Sequence, residues 1–440
     1  MTGDETLMAG KRMNERTNGA GASARRRGRT IAGRCLAATA AALLISGCAT
    51  NIGSQQKPLT TSSVGVDKDA APKPDRKQQP VKIAMLLPLG GVGPSSAVAK
   101  AMKQAGEMAL FELDNPAIQL NVKDDGGTPE TARAAADQAI KEGAEIILGP
   151  LFSKSVGGAA QAARAANVPV LAFSNDRQAA GNGVHLVSFM AEAEVERVVA
   201  FAAQNGKKRF VALIPDDAYG RVVEPAFRAA VHKAGGSVAS VELYATQANA
   251  MIEPARRAVE AVKAGEASGS PVDALFVPGG PDVLPQLGPL ITYSGLDTTK
   301  VKLIGTGTWN YPNIGRDDAF VGGWFPSPDP RGFADFSERF TKTFGQTPPR
   351  ITSLAYDAVG IAVALSSYAP GSRFTPTNLT RPGGFTGVDG TIKLTAAGIP
   401  ERSLAVLEVQ KFGTNVVDPA PSAMGAATRL SQAAPARPTP

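Results

Sequence analysis

Between Val81 and Phe412 short apolar runs alternate with amphipathic stretches, and this alternation limits the fold more than any other feature of the chain. Residues 81–87 (VKIAMLL) read as a buried strand stopped by Pro88, and 97–113 place Val98, Met102, Ala105 and Ala109 at helical spacing. A second unit repeats the pattern. Residues 118–122 are strand-like, Thr128 stands as a helix N-cap with Pro129 at the first helical position, and Gly143 closes that helix. A strand at 144–148, a helix at 155–166 and a strand at 168–173 follow. After Ala191 the same rhythm resumes, with helices ending at Gln204 and covering 220–234 and 252–263. Strands are expected at 209–214, 237–243 and 272–277. Strands and helices spaced this way give parallel βαβ units. A single α/β core rarely grows past about 250–300 residues. The expected fold is therefore α/β, two doubly wound Rossmann-like lobes, with ligands held in a cleft outside the carboxyl ends of the strands.

The first 47 residues read differently. Arg25, Arg26, Arg27, Arg29 and Arg34 precede an apolar run over 35–45, which is too short to span a bilayer as a helix. A basic flank, a short apolar run and small residues at its end form a secretory signal. Ile45-Ser46-Gly47-Cys48 resembles the bacterial lipobox, which implies cleavage before Cys48 and lipid on its sulfur, a firm anchor once more than one acyl chain is attached. The leader's eight Lys and Arg against three acids carry +5 of the overall +7, so the mature chain keeps only +2. Net charge then argues for neither nucleic acid nor an anionic surface. Residues 48–80, rich in Lys, Pro, Gln, Ser and Thr, are expected to form a flexible linker spanning roughly 30 Å. Residues 417–440, rich in Ala and Pro, are expected to form a disordered tail.

Catalytic chemistry is poorly supplied. With Cys35 in the leader and Cys48 lipidated, no thiol is left for a nucleophile, a zinc site or a disulfide. His185, in an apolar strand-like run, and His232, in a polar helix, are the whole histidine complement, and both read as structural. No GxSxG elbow and no P-loop occurs. Gly90, Gly91 and Gly93 lack dinucleotide spacing, and Pro94 removes an N–H that a phosphate would need. Asp124 and Asp125 read as a solvated strand end rather than a metal pair. The expectation is no enzyme, no metal and no cofactor.

Two strand ends are distinctive: Ile147-Leu148-Gly149-Pro150-Leu151-Phe152-Ser153-Lys154-Ser155, and Val170-Leu171-Ala172-Phe173-Ser174-Asn175-Asp176. With Ala355-Tyr356-Asp357-Ala358-Val359 in a late helix, a hairpin over 385–394 and a strand at 404–409, the chain from Val81 to about Phe412 resembles the type I periplasmic binding proteins of the leucine/isoleucine/valine-binding kind. The strings ILGPLFSKSV, AFSNDR, IPDDAYGR, GGWF and LAYDAV behind a lipobox are similar to the penicillin-binding protein activator lipoproteins. The resemblance implies one domain over 81–416. Lobe 1 would take about 81–190 and 320–370, and lobe 2 about 191–319 and 371–416.

In amino-acid receptors of that kind, hydroxyls and backbone N–H groups at a helix N-terminus hold the ligand carboxylate. The resemblance carries that role to Ser153, Ser155 and Ser174, with Asn175 beside them. It carries the cleft aromatic to Tyr219 and the acid that meets the ligand ammonium to Asp282. Lys154 interrupts the hydroxyl run and either adds anion affinity or points to solvent. All of these positions also suit turn and N-cap residues. Trp309, Trp324 and Phe325 are expected to pack near the lobe crossover, or to form an exposed patch for a protein partner.

Two functional readings stand. One is a non-enzymatic lipoprotein of the periplasm, expected at the outer membrane, that regulates a penicillin-binding protein in peptidoglycan synthesis. The other is a receptor that delivers an amino acid or similar solute to an ABC permease.

Overall fold

The computed structural model describes residues 80–421, apart from Val92, together with 428–429. The expected leader, Cys48 and the linker lie outside the described residues. So does most of the expected tail.

The first lobe opens with β1 (Val81–Leu87), α1 (Pro94–Leu113), β2 (Ile118–Asp124), α2 (Pro129–Lys141), β3 (Ile146–Leu148), α3 (Ser153–Ala165), β4 (Val170–Ala172) and β5 (Val184–Leu186). Its strands form a parallel sheet in the order β2-β1-β3-β4-β5. Local chemistry sets the helix starts. The Thr128 hydroxyl accepts from the Thr131 N–H while the Thr131 side chain answers the Thr128 N–H, and Pro129 takes the first turn of α2. Helices α2 and α3 pack closely because Gly158 has no side chain: a Cβ there would lie 1.9 Å from the Pro129 carbonyl oxygen.

The second lobe continues with α4 (Ala191–Gln204), β6 (Arg209–Pro215), α5 (Gly220–Lys233), β7 (Ser237–Tyr244), α6 (Ile252–Ala267), β8 (Ala274–Phe276), α7 (Leu284–Tyr293), β9 (Lys302–Ile304) and β10 (Trp324–Ser327). The chain then adds α8 (Pro330–Phe344), α9 (Thr352–Leu365), α10 (Pro376–Leu379), β11 (Phe385–Gly387), β12 (Gly390–Lys393), β13 (Glu401–Arg402), β14 (Ala405–Val409) and β15 (Thr414–Asp418). A short strand β16 (Thr428–Arg429) lies beside β11. The second sheet runs β15-β14-β10-β9-β8-β6-β7, with antiparallel pairing only at the β10, β14 and β15 edge.

Each sheet is covered on both faces, as parallel strands require. In the first lobe one face packs on α1, α8 and α9 and the other on α2 and α3. In the second, α6 and α7 cover one face and α4 and α5 the other.

The structure corrects the expected division between lobes. Residues 320–370 do not all belong to the first, because β10 hydrogen-bonds to β9 and β14 in the second sheet. Residues 371–416 do not all belong to the second, because Phe374, Leu379, Phe385, Ile392 and Leu394 bury into the core shared with α1 and α9. The chain therefore crosses between lobes three times: at 187–190, at 328–329 and at 403–404. The expected tail also starts too early, since Val417 and Asp418 complete β15 and Asp418 pairs with Arg197 at 2.6 Å.

Candidate functional site

Loops at the carboxyl ends of the strands carry the candidate site. After β3, Gly149 adopts φ +90°, and a Cβ there would sit 2.2 Å from the Leu86 carbonyl, so the turn needs glycine. That turn delivers Ser153 as the first residue of α3, a helix without a side-chain cap. After β4, the Ser174 hydroxyl accepts from the Asp176 N–H at 3.1 Å, and Asp176 Oδ1 accepts from the Gln178 N–H at 2.9 Å. The Ser153 hydroxyl donates to Asp176 Oδ2. A carboxylate of the chain itself thus occupies the hydroxyl at the start of α3, where the helix dipole favours negative charge.

On the second lobe, the Tyr219 and Thr306 hydroxyls share a hydrogen bond at 2.6 Å, and Thr308 Oγ1 donates to the Gly279 carbonyl at 2.6 Å. Burial raises the Tyr219 hydroxyl above the ordinary phenol range. Glu194, in the first turn of α4, accepts from the Gly307 N–H at 3.0 Å. It is buried, and loss of water pushes it from 4.5 to about 7 against the pull of that N–H and of Arg350.

A cavity of about 960 Å³ opens between the segment 175–178 of the first lobe and α4 and α5 of the second. Asn175, Asp176, Tyr219, Val222 and Pro225 are among its lining residues. Two ion pairs edge it, Arg177 with Glu192 at 3.5 Å and Lys233 with Glu196.

The structure places the expected site residues unevenly. Asn175 and Tyr219 line the cavity, while Ser153 and Ser174 lie behind it and hold Asp176. Lys154 is exposed on the first turn of α3. Ser155 is fully buried and its hydroxyl has no hydrogen-bond partner among the described residues. Asp282 stands on an exposed loop and does not line the cavity.

Asp176 had a visible signal, since it continues the Ser174-Asn175 strand end. Glu194 had none, because an acid in a first helical turn is ordinary. Trp309 and Phe325 are fully buried, which rules out the exposed aromatic patch. The Trp309 indole donates to the Val277 carbonyl, and Trp324 bonds Glu408 and lies under Lys302 at 4.5 Å.

Behind the site, beside the crossings, lies a charged cluster that sequence reasoning missed. Arg350 pairs with Asp389, which also accepts from the Ser353 hydroxyl at 2.6 Å. Asp357 accepts from the Val388 N–H at 2.8 Å, and burial next to Asp389 pushes it up to about 7. Arg402 donates to the Val187 and Ser188 carbonyls of the first crossing. Two guanidinium groups lie near the Phe189 ring, Arg350 at 4.9 Å and Arg402 at 4.8 Å from its centroid. At the second strand's end, Asp124 accepts from the Leu89 and Gly126 N–H groups, and burial raises Asp125 to about 6. Among the described residues no group of three metal-ligating side chains exists.

A sequence-family model described as periplasmic binding protein matches residues 80–414. The chain belongs to that family. Among solved structures, this periplasmic binding protein is similar to a putative branched-chain amino acid ABC transporter protein of Rhodospirillum rubrum. Identity is 15%, covering 77% of this chain and 100% of the other, with a TM-score of 0.66. It is also similar to a leucine-, isoleucine-, valine-, threonine- and alanine-binding protein of Brucella ovis in its closed conformation. There identity is 18%, coverage 80% and 98%, and the TM-score 0.60. A third is a solute-binding protein of Rhodopseudomonas palustris in complex with 3,4-dihydroxybenzoic acid, with 18% identity, 78% and 99% coverage and a TM-score of 0.55. These identities carry the fold alone. An uncharacterized protein of Rickettsia prowazekii is 25% identical over 169 residues, 38% of this chain, and the match spans 44% of that protein's length.

Proposed function

We propose that this periplasmic binding protein is a non-enzymatic, lipid-tethered receptor that takes a small solute between its lobes. The cavity bounded by 175–178 on one lobe and by Tyr219 and α5 on the other carries the reading, because a ligand there touches both lobes at once. In this reading the lobes close on the solute and the protein hands it to an ABC permease. The amino-acid- and solute-binding roles named for the Rhodospirillum, Brucella and Rhodopseudomonas proteins support the same reading. In a thermal-shift screen against amino acids, aromatic acids and amines, a solute at about a hundred times its Kd stabilises the fold by roughly 2.7 kcal/mol. The shift is expected to disappear in Tyr219→Ala; a shift that survives that change places the ligand elsewhere.

A second reading, regulation of a penicillin-binding protein, is favoured by ILGPLFSKSV, AFSNDR and LAYDAV together with the lipobox. In it, solute-dependent closure alters the surface shown to a peptidoglycan synthase. Added protein would then change the rate of glycan polymerisation in a reconstituted assay, and an unchanged rate would reject this reading.

Both readings use Cys48 as the tether. Cys48→Ser is expected to move the protein from the membrane fraction to the soluble one, with the thermal unfolding of the folded domain unchanged. Retention on the membrane would overturn the lipid assignment.

A further inference from the structure

Charge around the cavity is almost fully compensated. Five charged side chains line it, and four are paired: Arg177 with Glu192, and Lys233 with Glu196. The fifth is Asp176. Its carboxylate is held by the Ser153 hydroxyl and the Gln178 N–H, and among the described residues no Lys or Arg forms an ion pair with it. The cavity therefore carries one net negative charge at a fixed place. Opposite lies an apolar strip of α5 made by Val222, Pro225, Ala226 and Ala229, with Ala218 just before the helix. The anion-favouring start of α3 is already filled by Asp176, so a ligand carboxylate brought there meets like charge and loses its water without gaining a donor.

We infer that the cavity selects an amine with an apolar body and no carboxylate, and that Asp176 is the residue that sets this choice. The ammonium lies against Asp176 in a charge-assisted hydrogen bond, and the hydrocarbon covers the α5 strip. This inference rests on the receptor reading given above and narrows its ligand class.

The test uses pairs of probes that share a body and differ in charge: benzylamine with benzoate, and isopentylamine with 4-methylpentanoate, titrated calorimetrically into the mature chain. The amine of each pair is expected to bind at least tenfold tighter than the acid. Asp176→Asn keeps an oxygen for the Gln178 N–H, so the 3-10 helix at Arg177–Ala179 stays capped. In that variant the amine is expected to weaken at least tenfold and the preference to vanish. Lys233→Gln frees Glu196 and is expected to tighten the amine severalfold, a gain that a misfolded variant would not produce. Tighter binding of an acid by the unaltered protein, or an unchanged ratio in Asp176→Asn, overturns the inference and leaves the receptor reading standing. Failure of every probe with every variant also overturns the inference, while the receptor reading falls only if the wider thermal-shift screen is silent as well.

Discussion

Arg402→Ala is expected to lower the unfolding free energy by about 3–5 kcal/mol, the usual cost of removing one partner from a buried charge cluster. Three losses combine. The Val187 and Ser188 carbonyls lose their donor, Phe189 loses one of the two cations beside it, and Asp357 and Asp389 lose a neighbouring positive charge. Burial depresses the Arg402 guanidinium, while the neighbouring carboxylates Asp389 and Asp357 oppose that effect. Arg402→Lys is expected to recover less than half of the loss, because a point-like ammonium does not reproduce a fork reaching two carbonyls. Urea unfolding at neutral pH measures both, and a change of less than about 1 kcal/mol for the alanine variant would show the Arg402 cluster to be dispensable for stability.

Glu194→Gln is expected to act in the opposite direction at high pH. Folded Glu194 holds its proton up to about 7, whereas the unfolded chain releases it near 4.5. Between these values the unfolded state binds fewer protons, so stability contributed by this group is complete below about pH 4 and falls as pH rises toward 7. Glutamine keeps an acceptor for the Gly307 N–H and does not ionise. At pH 8 the variant is expected to be more stable than the natural protein by roughly 2–3 kcal/mol, and at pH 4 the two should agree closely. Asp357 and Asp125, raised to about 7 and about 6, leave a slope of the same sign in the variant. Urea midpoints from pH 4 to 8 decide this: parallel curves for the two proteins would mean that Glu194 ionises as freely in the folded state as in the unfolded one.

Much of the architecture was legible before any coordinates. The β1 run, the Thr128-Pro129 start of α2 and the strand-helix alternation after Ala191 all depend on neighbours in sequence, and the structure reproduces them with shifts of a few residues. The allocation of 320–402 between lobes was not legible, because β10 and the β11–β12 hairpin are short apolar segments whose side is chosen by distant pairing partners. The same limit applies to the site. Small polar residues at strand ends marked Ser153, Ser174 and Asn175, but only the fold shows that Asp176 engages the Ser153 hydroxyl that the resemblance assigned to a ligand, and that Asp282 stands apart. The charged cluster gave no local signal at all, since Arg350, Asp357, Asp389 and Arg402 meet across separate elements.

The triple crossing has a consequence for the order in which the molecule is made. The apolar face of α1 is complete once residue 113 has been synthesised, yet α9 and the β11–β12 hairpin, which cover it, are added only after more than two hundred further residues. The second lobe's sheet likewise waits for β14 to dock beside β10. Neither lobe can seal its core from the portion of chain that precedes the other, so an emerging polypeptide stays loose until its last quarter appears. Contacts that close over such long separations form slowly. A chain that stays expanded passes a narrow pore far more readily than a sealed lobe, so the triple crossing keeps the polypeptide threadable until nearly the whole of it has been built.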